Sequence, residues 1–180
     1  MVRLVGGCAK GYCGGSLVSR RVVLTAHHCT TPPRSGVPCD HSDEKRLAIL
    51  GRIDIERSDY HKYYTIPVVE VRVPPNGGLN PYNDESHDFA MVILKHPAKY
   101  SDWVRPICLP HPGVEYGGMW AQAAGWGRTD VPSVTRSQSP TLKVVWLKVN
   151  PRKYRHKFMF GTYLMKKGGV FQDPCSGDSG

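Results

Sequence analysis

Three observations predict an all-β chain of antiparallel strands. Short apolar or alternating runs recur along its length, 19 glycines and 15 prolines punctuate them, and helical periodicity is almost absent. Taken in order, the runs cover residues 21–25, 47–50, 68–73, 90–94, 120–124 and 142–149. Alternation is plainest in Val69-Glu70-Val71-Arg72-Val73, where the apolar positions recur every second residue. Such spacing predicts a barrel or a sandwich. One helix is expected over 152–160, because Asn150 is a good cap and Pro151 suits the first helical position. Pro106, Pro110 and Pro112 around Cys108 mark an extended connector over 101–119. That divides the chain into a first domain over 4–100 and a second over 120–180.

With 180 residues, 40% of them hydrophobic, the chain can bury one generous core or two small ones. No run approaches the roughly 18 apolar residues of a membrane-spanning helix. Residues 1–12 lack the apolar centre of a secretory leader, so secretion is not read from a leader. Cys8, Cys13, Cys29, Cys39, Cys108 and Cys175 form no CxxC pair. Their irregular spacing favours disulfides, and hence an oxidising, extracellular setting, over a zinc ribbon.

The net charge of +9 is unevenly placed. Residues 131–172 carry Arg136, Lys143, Lys148, Arg152, Lys153, Arg155, Lys157, Lys166 and Lys167, and no carboxylate. Those nine cations account for the whole excess, since the other 15 cations match the 15 acids. The segment is either a solvated basic surface or a face for a polyanion such as a sulfated glycan or nucleic acid. No aromatic and glycine RNA-binding pattern accompanies it.

Chemistry is concentrated at two distant places, Thr25-Ala26-His27-His28-Cys29 and Asp173-Pro174-Cys175-Ser176-Gly177-Asp178-Ser179-Gly180. A serine hydroxyl is inert at neutral pH unless an imidazole takes its proton, and flanking glycines leave room for a carbonyl and free backbone N–H donors. A bridge from Cys13 to Cys29 would tie the histidine loop to a neighbouring strand. A carboxylate is needed to orient the imidazole, and Asp88 stands before the apolar run Phe89-Ala90-Met91-Val92-Ile93-Leu94. An acid at the mouth of a buried strand needs a partner. A metal site made of Cys13, His27, His28 and Cys29 is disfavoured, because adjacent ligands strain tetrahedral geometry and the two-pair spacing is missing.

Seven segments, taken together, resemble the chymotrypsin-like (trypsin-fold) serine endopeptidases. They are Leu4-Val5-Gly6-Gly7 after Arg3, Cys13-Gly14-Gly15-Ser16-Leu17, Leu24-Thr25-Ala26-His27-His28-Cys29, Asp88-Phe89-Ala90-Met91, Val104-Arg105-Pro106-Ile107-Cys108-Leu109-Pro110, Gly125-Trp126-Gly127 and Gly177-Asp178-Ser179-Gly180, in the family's order. The long interval from His28 to Asp88 and the Arg-Pro-Ile-Cys-Leu-Pro segment are most similar to the clip-domain branch. The resemblance implies two antiparallel six-stranded β-barrels and a triad of His28, Asp88 and Ser179. It further implies an oxyanion hole from the N–H groups of Gly177 and Ser179, and Asp173 at the base of a pocket selecting Arg or Lys. Cleavage after Arg3 would free the Leu4 amine to pair with Asp178, making the parent protein a zymogen. Protein substrates cut after Arg or Lys, no cofactor and secretion follow from the same likeness. Cys108 would bridge to a pro-segment.

Departures from the family pattern add expectations of their own. Only five residues separate Gly7 from Cys13, so the first barrel is expected to lack its initial strands. The chain stops one residue after Ser179, so the second barrel is expected to be incomplete and Cys175 to lack its usual partner. His27 stands where the family has a small residue, and Pro174 and Ser176 replace usual neighbours of the pocket. Arg52 follows Gly51 where calcium-binding members carry a carboxylate, which argues against that ion. The alternative function is a non-catalytic protease homologue, or an inactive fragment, serving as a binding module.

Overall fold

The computed structural model describes residues 1–6, 12–30, 46–57, 63–75, 88–127, 138–153, 160–163, 165–167 and 170–172. It divides into two units, Met1–Cys108 and Leu109–Asp178.

The first unit is a closed barrel of β1 (Val2–Val5), β2 (Tyr12–Leu17), β3 (Val22–Thr25), β4 (Leu47–Leu50), β5 (Tyr64–Arg72) and β6 (Ala90–Leu94), in the order β1-β2-β3-β6-β5-β4. Every neighbouring pair is antiparallel, and β4 returns to β1 to close the ring. Closure removes the unpaired sheet edges that an open sheet would present. Alternation along each strand sends one face inward, and Val2, Val23, Leu50, Val92 and Leu94 are all but fully buried. Burying side chains of that size contributes about 1.5–3 kcal/mol each before entropy is counted. Gly15 is required where β2 crosses β3, since a Cβ there would lie 2.6 Å from Val23 Cγ1 and 3.2 Å from the Leu24 carbonyl oxygen. A register shift between Val68 and Glu70 bends β5 around the ring.

The fold class is the expected all-β one, with one correction in the first barrel. The short interval before Cys13 predicted missing strands, yet the barrel closes on six. Val2–Val5 is itself a barrel strand, pairing Leu4 with Cys13 on one side and Ala48 on the other. Gly6 then turns the chain at φ +77°, so the first glycine of that landmark serves as the exit from β1.

The connector leaves β6 along the barrel. Ala98 N–H donates to the Arg20 carbonyl at 2.6 Å and Ile107 N–H to the Leu17 carbonyl at 2.8 Å. Tyr64 Oη donates to the Lys99 carbonyl at 2.7 Å. Cys108, at the end of this stretch, is exposed and unbridged.

The second unit holds a three-stranded sheet of β7 (Trp120–Gly125), β8 (Lys143–Lys153) and β9 (Phe160–Tyr163), and a ribbon of β10 (Met165–Lys167) and β11 (Val170–Gln172). The described residues thus form part of a second sheet. Here the predicted helix is overturned at its start, because Asn150 and Pro151 lie inside β8. The β8–β9 register shifts between Val149 and Lys153, and such an irregularity accommodates a residue without an N–H. Residues 154–159 of the expected helix lie outside the described residues.

Candidate active site

Pairing of β3 with β6 builds the site. Thr25 is opposite Ala90, so extending the antiparallel register by two residues brings position 88 level with position 27. The chain leaving β3 does not continue as a strand but tightens into a 3-10 turn, His27–Cys29. Cys29 N–H donates to the Ala26 carbonyl at 3.1 Å and Thr30 N–H to the His27 carbonyl at 2.8 Å. Thr30 Oγ1 donates to that same His27 carbonyl at 2.7 Å.

Within that turn His28 faces Asp88. Its backbone N–H donates to Asp88 Oδ1 at 2.8 Å, and its Nδ1 lies 2.7 Å from Asp88 Oδ2. The carboxylate therefore grips both the main chain and the ring of one residue, which holds the imidazole plane and places the proton on Nδ1. The His28 side chain is 47% exposed and that of Asp88 21%. The ring is thus presented to solvent while its partner is partly shielded. Nε2 is left as the nitrogen able to exchange a proton with an incoming group.

Three contacts keep the turn in place. A disulfide joins Cys13 on β2 to Cys29. Thr25 Oγ1 donates to the Gly14 carbonyl at 2.8 Å, tying β3 to β2 again. Arg46, almost wholly buried, donates from Nη2 to the Cys29 carbonyl at 3.1 Å. Burial pulls the Arg46 guanidinium below its ordinary value, since the charged form is the one desolvation penalises. Sequence reasoning passed over Arg46 and Thr30, and named Thr25 without giving it a role. The available signals were a cation directly before the apolar run 47–50 and hydroxyls flanking the His-His-Cys turn.

Cys13, His28 and Cys29 place their ligand atoms within 4.8 Å of one another. Because both sulfurs are spent in the disulfide, neither is a thiolate available to a metal.

Arg3 and Leu4, read from the resemblance as flanking an activation cut, lie within β1. Both are buried in the interior of β1, with Arg3 paired to Gly14 and Ile49 and its guanidinium 4.1 Å from the Tyr12 ring centroid. Asp173, Gly177, Asp178 and Ser179 lie outside the described residues, as do Cys8, Cys39 and Cys175.

Arg52, read as unfavourable to calcium, has a defined job of its own. Its Nε donates to the Asp54 carbonyl at 2.9 Å and its Nη2 to the Ile55 carbonyl at 2.7 Å, with the guanidinium 4.4 Å from the centroid of Tyr63. The side chain supplies a fixed positive charge to carbonyls of its own loop.

The family described as Trypsin matches residues 1–180. Melanization protease 1 of Drosophila melanogaster is 32% identical over 97% of this chain and 47% of its own length. CLIP domain-containing serine protease B4 of Anopheles gambiae is 30% identical over 94% of the chain and 49% of its length. Inactive CLIP domain-containing serine protease A28 of the same mosquito is 29% identical over 93% and 43%. The chain spans about half the length of these curated relatives.

Proposed function

The chain belongs to the trypsin family, and on that footing we propose that it is a serine endopeptidase cleaving after Arg or Lys through an acyl-enzyme. The observation that carries the reading is the double grip of Asp88 on His28, at 2.8 Å to the backbone and 2.7 Å to Nδ1. An imidazole fixed in that tautomer is suited to accept a proton at Nε2 and hand it on. In the proposed reaction Ser179 Oγ attacks the scissile carbonyl as His28 takes the hydroxyl proton. The N–H groups of Gly177 and Ser179 steady the oxyanion. The amine leaves with the proton from His28, and water then repeats the sequence on the acyl-enzyme. Asp88 stabilises the imidazolium throughout. Asp173 is the proposed partner of the substrate cation, whose burial without a countercharge would be strongly unfavourable.

Protein substrates, an extracellular setting and an exposed Cys108 that bridges to a partner segment complete the proposal. The Cys13–Cys29 disulfide supports the oxidising compartment. The test is labelling with a fluorophosphonate, which needs an activated serine. Label should appear on Ser179 and be lost in His28→Ala, and a peptide ester with Arg at the cleaved position should be hydrolysed faster than one with a neutral residue. Unlabelled, folded protein would overturn the catalytic reading. That result would favour a non-catalytic homologue acting as a binding module, which the likeness to a relative named inactive makes the second reading.

A further inference from the structure

Alternation along β4 puts Ala48 and Leu50 on the inner face of the ring, both wholly buried. Arg46 precedes that strand on the same alternation, and its carbonyl accepts the Val68 N–H at 3.0 Å, which carries the β4–β5 pairing one step further. A guanidinium thus stands at the end of the barrel where the pattern of the strand calls for an apolar side chain. It is 3% exposed. Nη2 donates to the Cys29 carbonyl, while Nη1 is buried with no hydrogen-bond partner among the described residues. No carboxylate among them pairs with this cation. Taking an ion out of water costs more than one such hydrogen bond returns, so an apolar side chain of similar volume would serve the fold as well or better.

What the guanidinium does hold is the end of the histidine turn. The turn's own backbone bonds satisfy the carbonyls of Ala26 and His27, and leave the Cys29 carbonyl, in a buried residue, to find a partner elsewhere. The disulfide fixes the side chain of Cys29, and Arg46 fixes its peptide plane. With Cys29 held at both points, the main chain of His28 just before it is kept from twisting the ring away from Asp88.

We propose that Arg46 is a positioning residue for the His28 base, retained on the inner face of the barrel for the geometry of the site and against the stability of the fold. It rests on the reading of His28 as that base. The test uses two variants of the full chain. Arg46→Met fills the place with an unbranched apolar side chain and donates nothing, and Arg46→Lys keeps a charge and a donor. Arg46→Met should unfold at a urea concentration no lower than the parent. Its kcat on an Arg ester should nevertheless fall about ten- to hundredfold with KM unchanged, the scale of a base displaced by up to about 1 Å. Its downfield His28–Asp88 proton signal should shift or broaden, and Arg46→Lys should recover part of the lost kcat.

The proposal is overturned if Arg46→Met unfolds earlier than the parent or fails to fold, since Arg46 would then be a structural residue. It is equally overturned if that variant keeps the parent's kcat, if its proton signal is unchanged, or if Arg46→Lys is no more active than Arg46→Met. The proton signal needs no reactive serine. An unlabelled parent would therefore overturn the catalytic reading alone, and the signal would still decide whether Arg46 holds His28.

Discussion

Removing the bridge between β2 and the histidine turn, in the double variant Cys13→Ala/Cys29→Ala, isolates what holds the site together. The two cysteines are separated by 16 positions, and closing a loop of that length removes enough unfolded-state entropy to be worth about 3 kcal/mol at 25 °C. Cys29 is buried against the barrel, so deleting its sulfur adds a cavity term of about 1 kcal/mol. The expected total of about 4 kcal/mol is a large share of the roughly 5–15 kcal/mol available to an ordinary domain. Urea unfolding of the oxidised parent and the variant, followed by tryptophan fluorescence, measures the difference. A loss below about 1 kcal/mol would refute the loop-closure reasoning. The variant should also lose order locally, because the turn would then rest on Thr25, Thr30, Arg46 and Asp88 without a covalent tie. Broadening of the downfield proton signal of the His28–Asp88 pair would report that, and an unaltered signal would mean the remaining contacts suffice.

Four further outcomes follow from the same contacts. Asp88→Asn keeps an oxygen for the His28 N–H but sets an amide NH₂ against Nδ1, forcing the other tautomer; kcat on an Arg ester should fall about 10⁴-fold, the loss the triad template assigns to this change, and a drop of less than about tenfold would contradict the proposed role. Gly15→Ala pushes a methyl to 2.6 Å from Val23 Cγ1 inside a closed barrel, and should cost about 1–3 kcal/mol in urea unfolding; no cost would show that β2 and β3 can part. Arg52→Ala removes two hydrogen bonds to loop carbonyls and should lower stability by about 1–2 kcal/mol, while a chelator added to the parent should leave its Tm unchanged. Asp54 accepts backbone N–H bonds from Arg57 and Glu56, which hold its carboxyl below the usual range. That contribution is complete above the ordinary carboxylate pKa and is lost as pH falls through the depressed folded value, so the Glu56 and Arg57 amides should lose exchange protection in acid, and constant protection would contradict the assignment.

Much of the first barrel was legible because its strands are short, apolar and bounded by turns. β3, β4 and β6 lie where the runs at 21–25, 47–50 and 90–94 predicted them. β5 begins four residues before its predicted start because Tyr64 and Ile66 alternate with Thr65 and Pro67, and a proline inside a run reads locally as a break. β1 was not among the predicted strands: Leu4 and Val5, part of a segment that resembled an activation sequence, pair with Cys13 and Tyr12 on one side and with Ala48 and Leu47 on the other. In the second unit, Asn150-Pro151 carried a local helix signal that the β8 ladder overrode. Propensity is worth fractions of a kcal/mol per residue, and pairing along an eleven-residue strand outweighs it.

By itself the amino-acid sequence determined the all-β class, the trypsin-family landmarks and the basic, carboxylate-free segment, because each is written in residue type and short-range spacing. Tertiary structure alone decided that Val2–Val5 closes the barrel, that Asp88 grips His28 at two points, and that Arg46 steadies the turn from inside. All three depend on which strands lie side by side and in what register. Register is set by closing the ring and burying one face of every strand at once, a condition on the whole chain that no local stretch of it contains.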